Sequence, residues 1–139
     1  MLKKIVIILF ILLFYSMNVY AEDITNIEIF NITQGKVIKV LPSDSKFEKI
    51  ATDYLKGIKG IYGKFNPIPN KGYAIRIPLE SPVKIDEKWF DALINEVIIM
   101  FPDGEPPFLV VTDNESRLVC LGFQGNTDKL LKKLKLKLN

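Results

Sequence analysis

Glu96-Val97-Ile98-Ile99-Met100-Phe101-Pro102, then Phe108-Leu109-Val110-Val111-Thr112, then Leu118-Val119-Cys120-Leu121 form the stretch on which the fold turns. Val97 to Phe101 and Phe108 to Val111 are continuously apolar and rich in β-branched residues, as strands covered on both faces are. Pro102 closes the first strand because it cannot donate to a ladder. Asp113-Asn114-Glu115-Ser116 supplies a turn, and Arg117 to Phe123 a third strand. The three make a meander whose first two strands belong at the centre of a sheet.

Upstream of the meander, Tyr73, Ile75, Ile77 and Leu79 alternate with Ala74, Arg76 and Pro78, which predicts a strand with one buried face and with Pro78 at an edge or a strand end. Between these strands, Asp86-Glu87-Lys88-Trp89-Phe90-Asp91-Ala92-Leu93 has acids at its head and apolar residues at helical spacing, and predicts a short helix. Phe47, Ile50, Ala51, Tyr54, Leu55 and Ile58 recur at helical spacing, so a helix is expected from about Ser45 to Ile58. Ser45 and Glu48 have the spacing of a capping box, and Gly57 and Gly60 mark the helix end. Before it, Ile24 to Ile32 and Lys36 to Leu41 flank Thr33-Gln34-Gly35 and read as a hairpin. Thr127-Asp128 opens a last helix, Lys129 to about Leu138, with Leu130, Leu131, Leu134 and Leu138 on one side and Leu136 off the stripe. The expectation is a single α+β domain, with a mainly antiparallel sheet of about five to six strands, two main helices and a short third.

The first 21 residues read as an export signal: Lys3 and Lys4, an unbroken apolar run from Ile5 to Tyr15, then the small-residue cleavage pattern Val19-Tyr20-Ala21. The apolar run falls short of the roughly 20 residues that cross a bilayer. Counting Ser16 to Ala21 makes a marginal span, so an uncleaved anchor is the alternative. No cysteine follows the run to take a lipid. The expected mature domain is residues 22–139, long enough for one core and too short for two.

Of 19 basic residues, Lys3 and Lys4 lie in the leader, which leaves 17 against 16 acidic and a nearly neutral domain. The charges are segregated: residues 36–76 are strongly basic, 80–115 strongly acidic, and the stretch from Arg117 onward basic again. Such blocks either cancel across the folded surface or form separate faces for partners.

The chain has no histidine and one cysteine. Neither a Ser-His-Asp nor a Cys-His arrangement can exist, nor a histidine or cysteine-rich zinc site, and no disulfide can form within the chain. Cys120, inside an apolar run, reads as a buried inert thiol. Carboxylate pairs remain able to cleave glycosides; Asp86, Glu87, Asp91 and Glu96 are the candidates by density, and Glu80 joins them as a residue whose replacement by the amide tests that reading. Asp103 and Glu105 fall in one turn and Asp113 and Glu115 in the next, at opposite ends of the central strand, so they cannot share a calcium ion. Gly57 to Lys64 is not a phosphate loop: Gly57 and Gly63 enclose five residues rather than four, Phe65 follows the lysine, and the helix precedes. Gly57 to Gly60 matches a short RNA-binding clamp, but export argues against nucleic acid. Asn31-Ile32-Thr33 and Asn114-Glu115-Ser116 are glycosylation acceptors in a eukaryotic secretory pathway.

The run from Lys56 to Leu79, with Glu96 to Pro102 and Pro107 to Val111, resembles small exported proteins of uncharacterised function from endospore-forming Gram-positive bacteria. The similarity covers most of the mature region and brings no catalytic residues. It implies a bacterial envelope or secreted setting, with a link to sporulation among its expectations. No metal or cofactor is expected. The function expected is non-enzymatic binding of a protein or envelope partner, with peripheral membrane contact through the basic last helix and no nucleic acid. The candidate binding residues are Lys129, Lys132, Lys133, Lys135 and Lys137 on that helix, Pro67 and Pro69 in the proline-rich loop, and Asp103 and Glu105 in the next connection. Its rivals are a membrane-tethered accessory subunit and a small carboxylate-dependent cell-wall hydrolase.

Overall fold

The computed structural model describes residues 25–62 and 68–138; residues 1–21, read above as an export signal, and Pro67 lie outside them. The elements are β1 (Asn26–Asn31), β2 (Lys36–Pro42), α1 (Ser45–Lys56), β3 (Ile58–Ile61), β4 (Gly72–Glu87), β5 (Phe90–Pro102), β6 (Phe108–Thr112), β7 (Leu118–Phe123) and α2 (Asp128–Leu134). Among the described residues, seven strands form one sheet in the order β2-β1-β4-β5-β6-β7-β3, and every pairing is antiparallel.

This corrects the expected α+β class of five to six strands and a third helix, because the protein is mostly sheet and its described helices are α1 and α2 alone. Two segments account for the difference. Asp86 to Leu93 is not a helix but the end of a long hairpin, in which Asp86 faces Asp91 and Glu87 faces Phe90. Its apolar residues satisfy a period of two as well as they satisfy helical spacing. Ile85, Ala92 and Ile94 point into the core while Leu93 and Asp91 are exposed. Ile58 to Ile61, read as a helix end and turn, becomes β3 and pairs with β7 at the sheet edge.

The meander stands as expected, with β5 in the middle of the sheet and Phe108 to Val111 buried on both sides. The β1–β2 hairpin also forms, with a bulge between Ile29 and Phe30. Pro78 lies inside β4 just past the ladder with β1, which covers Tyr73 to Arg76, so its missing N–H costs no bond on that side.

Asp44, rather than Ser45, caps α1, accepting from the backbone N–H groups of Lys46 and Phe47 at 3.0 and 2.9 Å. Glu48 does not close a capping box but accepts the backbone N–H of Glu80 on β4. Gly57 ends the helix with φ −95°. It is needed there because a Cβ would collide with the carbonyl oxygen of Gln124, whose N–H donates to the Gly57 carbonyl at 2.8 Å. The last helix stops at Leu134, where Lys135 adopts a left-handed φ of 54°. The chain then folds back, which half-buries Leu136 and Leu138 against the core, so Leu136 is not the exposed residue its stripe position suggests.

The main core lies on one face of the sheet. Ile27, Ile29, Ile75, Ile77, Val97, Ile99, Leu109 and Leu121 face Phe47, Ala51, Tyr54 and Leu55 of α1 and Leu130 and Leu134 of α2. A smaller cluster of Met100, Phe108 and Val110, with half-buried Tyr62, Ala74, Ile98 and Cys120, occupies the other face. There Arg76 ties Glu28 and Glu96 together at 3.5 and 3.2 Å. Past the ladder irregularity between Pro78 and Val83, β4 and β5 pair with each other up to the turn at Lys88-Trp89. The resulting two-stranded arm lays Ile85, Ala92 and Ile94 into the main core and presents Trp89 and Leu93 to solvent.

Candidate functional site: a basic groove between the helices

On α1, Lys46, Lys49, Ile50, Asp53 and Tyr54 follow one another at helical spacings of three and four, so they form a single stripe along the helix. On α2, Lys129 and Lys133 are one turn apart and share a face. These two stripes flank a groove of about 690 Å³, closed at one end by Gln124, Gly125 and Asn126. Its volume is that of a site for a small ligand or a few side chains.

The floor is fixed by Tyr54. Its hydroxyl donates to the Asn126 carbonyl at 3.0 Å, and its ring lies 4.8 Å from that of Phe123. Gly125 sits so close over the Tyr54 ring that a Cβ would approach it to 2.8 Å. Burial, with the nearby Asp128 charge, pushes the phenol up to about 12. Tyr54 is therefore a neutral donor throughout the physiological range.

The four lysines are not equivalent. Lys133 is committed to structure: its Nζ lies 3.2 Å from the Asp44 carboxylate and 4.4 Å over the Phe47 ring, locking α2 to the start of α1. The Asp44 carboxyl is held below its ordinary value by the Phe47 N–H it accepts, with Lys133 and the Lys46 N–H adding to that. Lys49 pairs with Asp53 at 3.0 Å, an exposed contact within one helix that leaves both groups available. Lys46 and Lys129 form no ion pair with any described residue. The groove thus has an apolar floor and two uncompensated ammonium groups on opposite walls.

The candidate binding residues divide. Lys129 and Lys133 enter the groove, whereas Lys132, Lys135 and Lys137 surround a separate depression with Leu131 and Leu136. Asp103 lines a third hollow of about 310 Å³ with Thr33, Lys71 and Leu138. Glu105 is exposed in the same turn, and Pro69 is half-buried in its loop. Lys46 and Lys49 were missed by sequence reasoning, since lysines on the polar face of an amphipathic helix look merely solvated. Their signal was the stripe they share with Ile50 and Tyr54.

The candidate carboxylates divide as well. Glu80 and Glu96 meet Asp44 and Glu48 in a cleft of about 660 Å³ between the start of α1 and the base of the arm, while Asp86, Glu87 and Asp91 lie at the arm's end. In the cleft Glu96 is tied to Arg76, and Asp44 is held ionised as a helix cap. An ionised helix cap does not suit the protonated acid of a glycosidase pair. No group of acidic or sulfur ligands among the described residues is arranged to hold a metal ion. Comparison with protein-family models, with curated proteins and with solved structures finds no match.

Proposed function

We propose that this is an exported, non-enzymatic binding protein of the cell envelope or extracellular space, whose inter-helix groove takes an acidic segment of a protein or envelope partner. Export is supported by Lys3 and Lys4, the apolar run Ile5 to Tyr15 and the Val19-Tyr20-Ala21 pattern. The binding reading rests on one observation: Lys46 of α1 and Lys129 of α2, neither ion-paired with a described residue, line one groove together with Ile50 and Tyr54. Leu130 and Leu134 of α2 are fully buried in the core. The last helix therefore has no free leucine stripe to insert into a bilayer, which favours an acidic partner over a membrane surface.

The test is fluorescence anisotropy with a labelled peptide of alternating glutamate and phenylalanine. Binding is expected to weaken about tenfold or more in K46E/K129E and to fall as salt rises. K132E/K135E, on the other side of α2, leaves it unchanged. Equal losses in the two variants, or no binding by the wild type, would reject the groove. Mass spectrometry of the protein recovered from the medium should find a chain that begins at Glu22; a retained Met1 to Ala21 would favour the tethered subunit. Activity against cell-wall material that disappears in E80Q or E96Q would favour the hydrolase.

A further inference from the structure

The end of the β4–β5 arm has properties that the core does not explain. Trp89, the sole tryptophan, is 38 % exposed, and Leu93 is 58 % exposed. The Trp89 and Phe90 rings stack with centroids 6.2 Å apart. On the outer face of the ladder, Asp86 and Asp91 stand directly opposite each other. Two like charges in that position destabilise an isolated hairpin. Asp86, Glu87 and Asp91 form no ion pair with any described residue. Lys84 and Lys88 share this end of the arm, so its three carboxylates outnumber its two ammonium groups by one, and the knob is aromatic and mildly acidic with none of those carboxylates ion-paired among the described residues.

The groove is its complement. It offers Lys46 and Lys129 outside any ion pair among the described residues, beside Ile50 and Tyr54, in a volume of about 690 Å³ whose one lining carboxylate, Asp53, is paired with Lys49, while no residue of the arm lines it in the same molecule. We infer that the arm of one copy docks in the inter-helix groove of a second copy: Trp89 packs on Ile50 and Tyr54, and Asp86 and Asp91 meet Lys46 and Lys129. This rests on the groove being a binding site for acidic segments and names its occupant as a second copy of this chain. The two surfaces differ, so the contact is heterologous. Each added copy presents a fresh arm and a fresh groove, and the product is a head-to-tail chain or ring rather than a closed two-fold dimer.

Sedimentation velocity on the natively processed protein at low salt tests this, with Trp89 emission followed over the same concentrations. The expected result is a mass that rises past that of a dimer, with a blue shift of Trp89 in step. W89A, K46E/K129E and D86K/D91K each weaken association about tenfold or more. Mixing K46E/K129E with D86K/D91K restores it, because each acidic groove then meets a basic arm, and each basic groove an acidic one. That rescue also shows that both variants fold. A wild type that stays monomeric, association that survives the charge reversals, or a mixture that fails to recover would each overturn the inference. If the monomeric wild type still binds the glutamate–phenylalanine peptide, self-association alone is lost. If it does neither, the groove falls with it.

Discussion

Phe108 and Tyr62 offer the most direct test of the architecture, because their contact exists only if β3 lies beside β7 at the sheet edge. Phe108 on β6 is 1 % exposed. Its ring stacks on that of Tyr62, just past β3, with centroids 4.6 Å apart and planes 11° from parallel. The Tyr62 N–H donates to the Cys120 carbonyl on β7 at 2.7 Å, which sets the ring over Phe108. Had 57–63 been only a helix end and a turn, the two rings would have no reason to meet.

The magnitudes follow from burial. Phe108→Ala empties a fully buried ring site and should cost about 3–5 kcal/mol. Tyr62 is half-buried, so Tyr62→Ala exposes roughly 100 Å² of apolar surface, worth about 2 kcal/mol. The double variant should fall short of the sum by about 0.5–1.5 kcal/mol, the usual coupling of a stacked pair. Urea unfolding followed by far-ultraviolet circular dichroism reads all four corners of the cycle. If the two losses add within about 0.3 kcal/mol, the stack is absent and the placement of β3 is wrong.

On the arm, Ile94→Ala should cost about 2–4 kcal/mol because Ile94 is 1 % exposed, whereas Leu93→Ala next to it should change stability by less than about 0.5 kcal/mol; urea midpoints separate this strand alternation from helical spacing. In the β6–β7 turn, the Arg117 N–H, followed by the Arg117 side chain and the Glu115 N–H, holds the Asp113 carboxyl below its ordinary value. Its stabilisation is therefore present above the unfolded value near pH 4 and lost as pH falls through the lower folded one, and Asp113→Asn should flatten that acid limb in urea midpoints measured against pH. Tyr54, at about 12, runs the other way. Its contribution is complete below the unfolded value near pH 10 and lost as pH rises toward 12, so absorbance titration should show one tyrosine ionising late and Tyr54→Phe should flatten the alkaline limb.

The meander, the first hairpin and α1 were legible because each carries one dominant period: continuous apolar runs at 97–101 and 108–111, β-branched alternation at 27–31, and an amphipathic stripe at 47–55. The arm was misread because a hairpin with a two-residue turn throws its apolar residues out of phase at the turn. Trp89, at the turn, then stands three and four residues before Ala92 and Leu93, and Phe90 beside it three before Leu93, which imitates helical spacing, and acids at the head imitate a helix start. β3 was hidden because four residues containing a glycine carry almost no pattern. What makes them a strand is the edge of β7, which is distant in sequence. The groove was half legible for the same reason. Lys129 and Lys133 stand out in a lysine-rich tail, but only tertiary packing shows that Lys46 and Lys49 face them.

The segregated charge of the sequence also takes a definite form in the fold. Among the described residues, block-to-block neutralisation is confined to a few contacts, such as Arg76 with Glu96 and Arg117 with Asp113. The rest of the basic block supplies α1 and the edge strand β2, where Lys39 donates to the Leu134 carbonyl at the end of α2 at 2.9 Å, while the acidic block supplies the arm and the turns. Residues 22–139, with 17 basic and 16 acidic residues, are nearly neutral together, so they exert little long-range repulsion to keep copies apart, and separated poles of opposite sign attract at short range. With a screening length of about 8–10 Å at moderate salt, that attraction acts only between surfaces already close enough to dock. Association should therefore weaken as salt rises, and at low salt K46E/K129E should associate about tenfold or more weakly than the wild type. A wild type that associates more strongly in high salt would instead mean that apolar contact alone, through Trp89 and Leu93, holds the copies together.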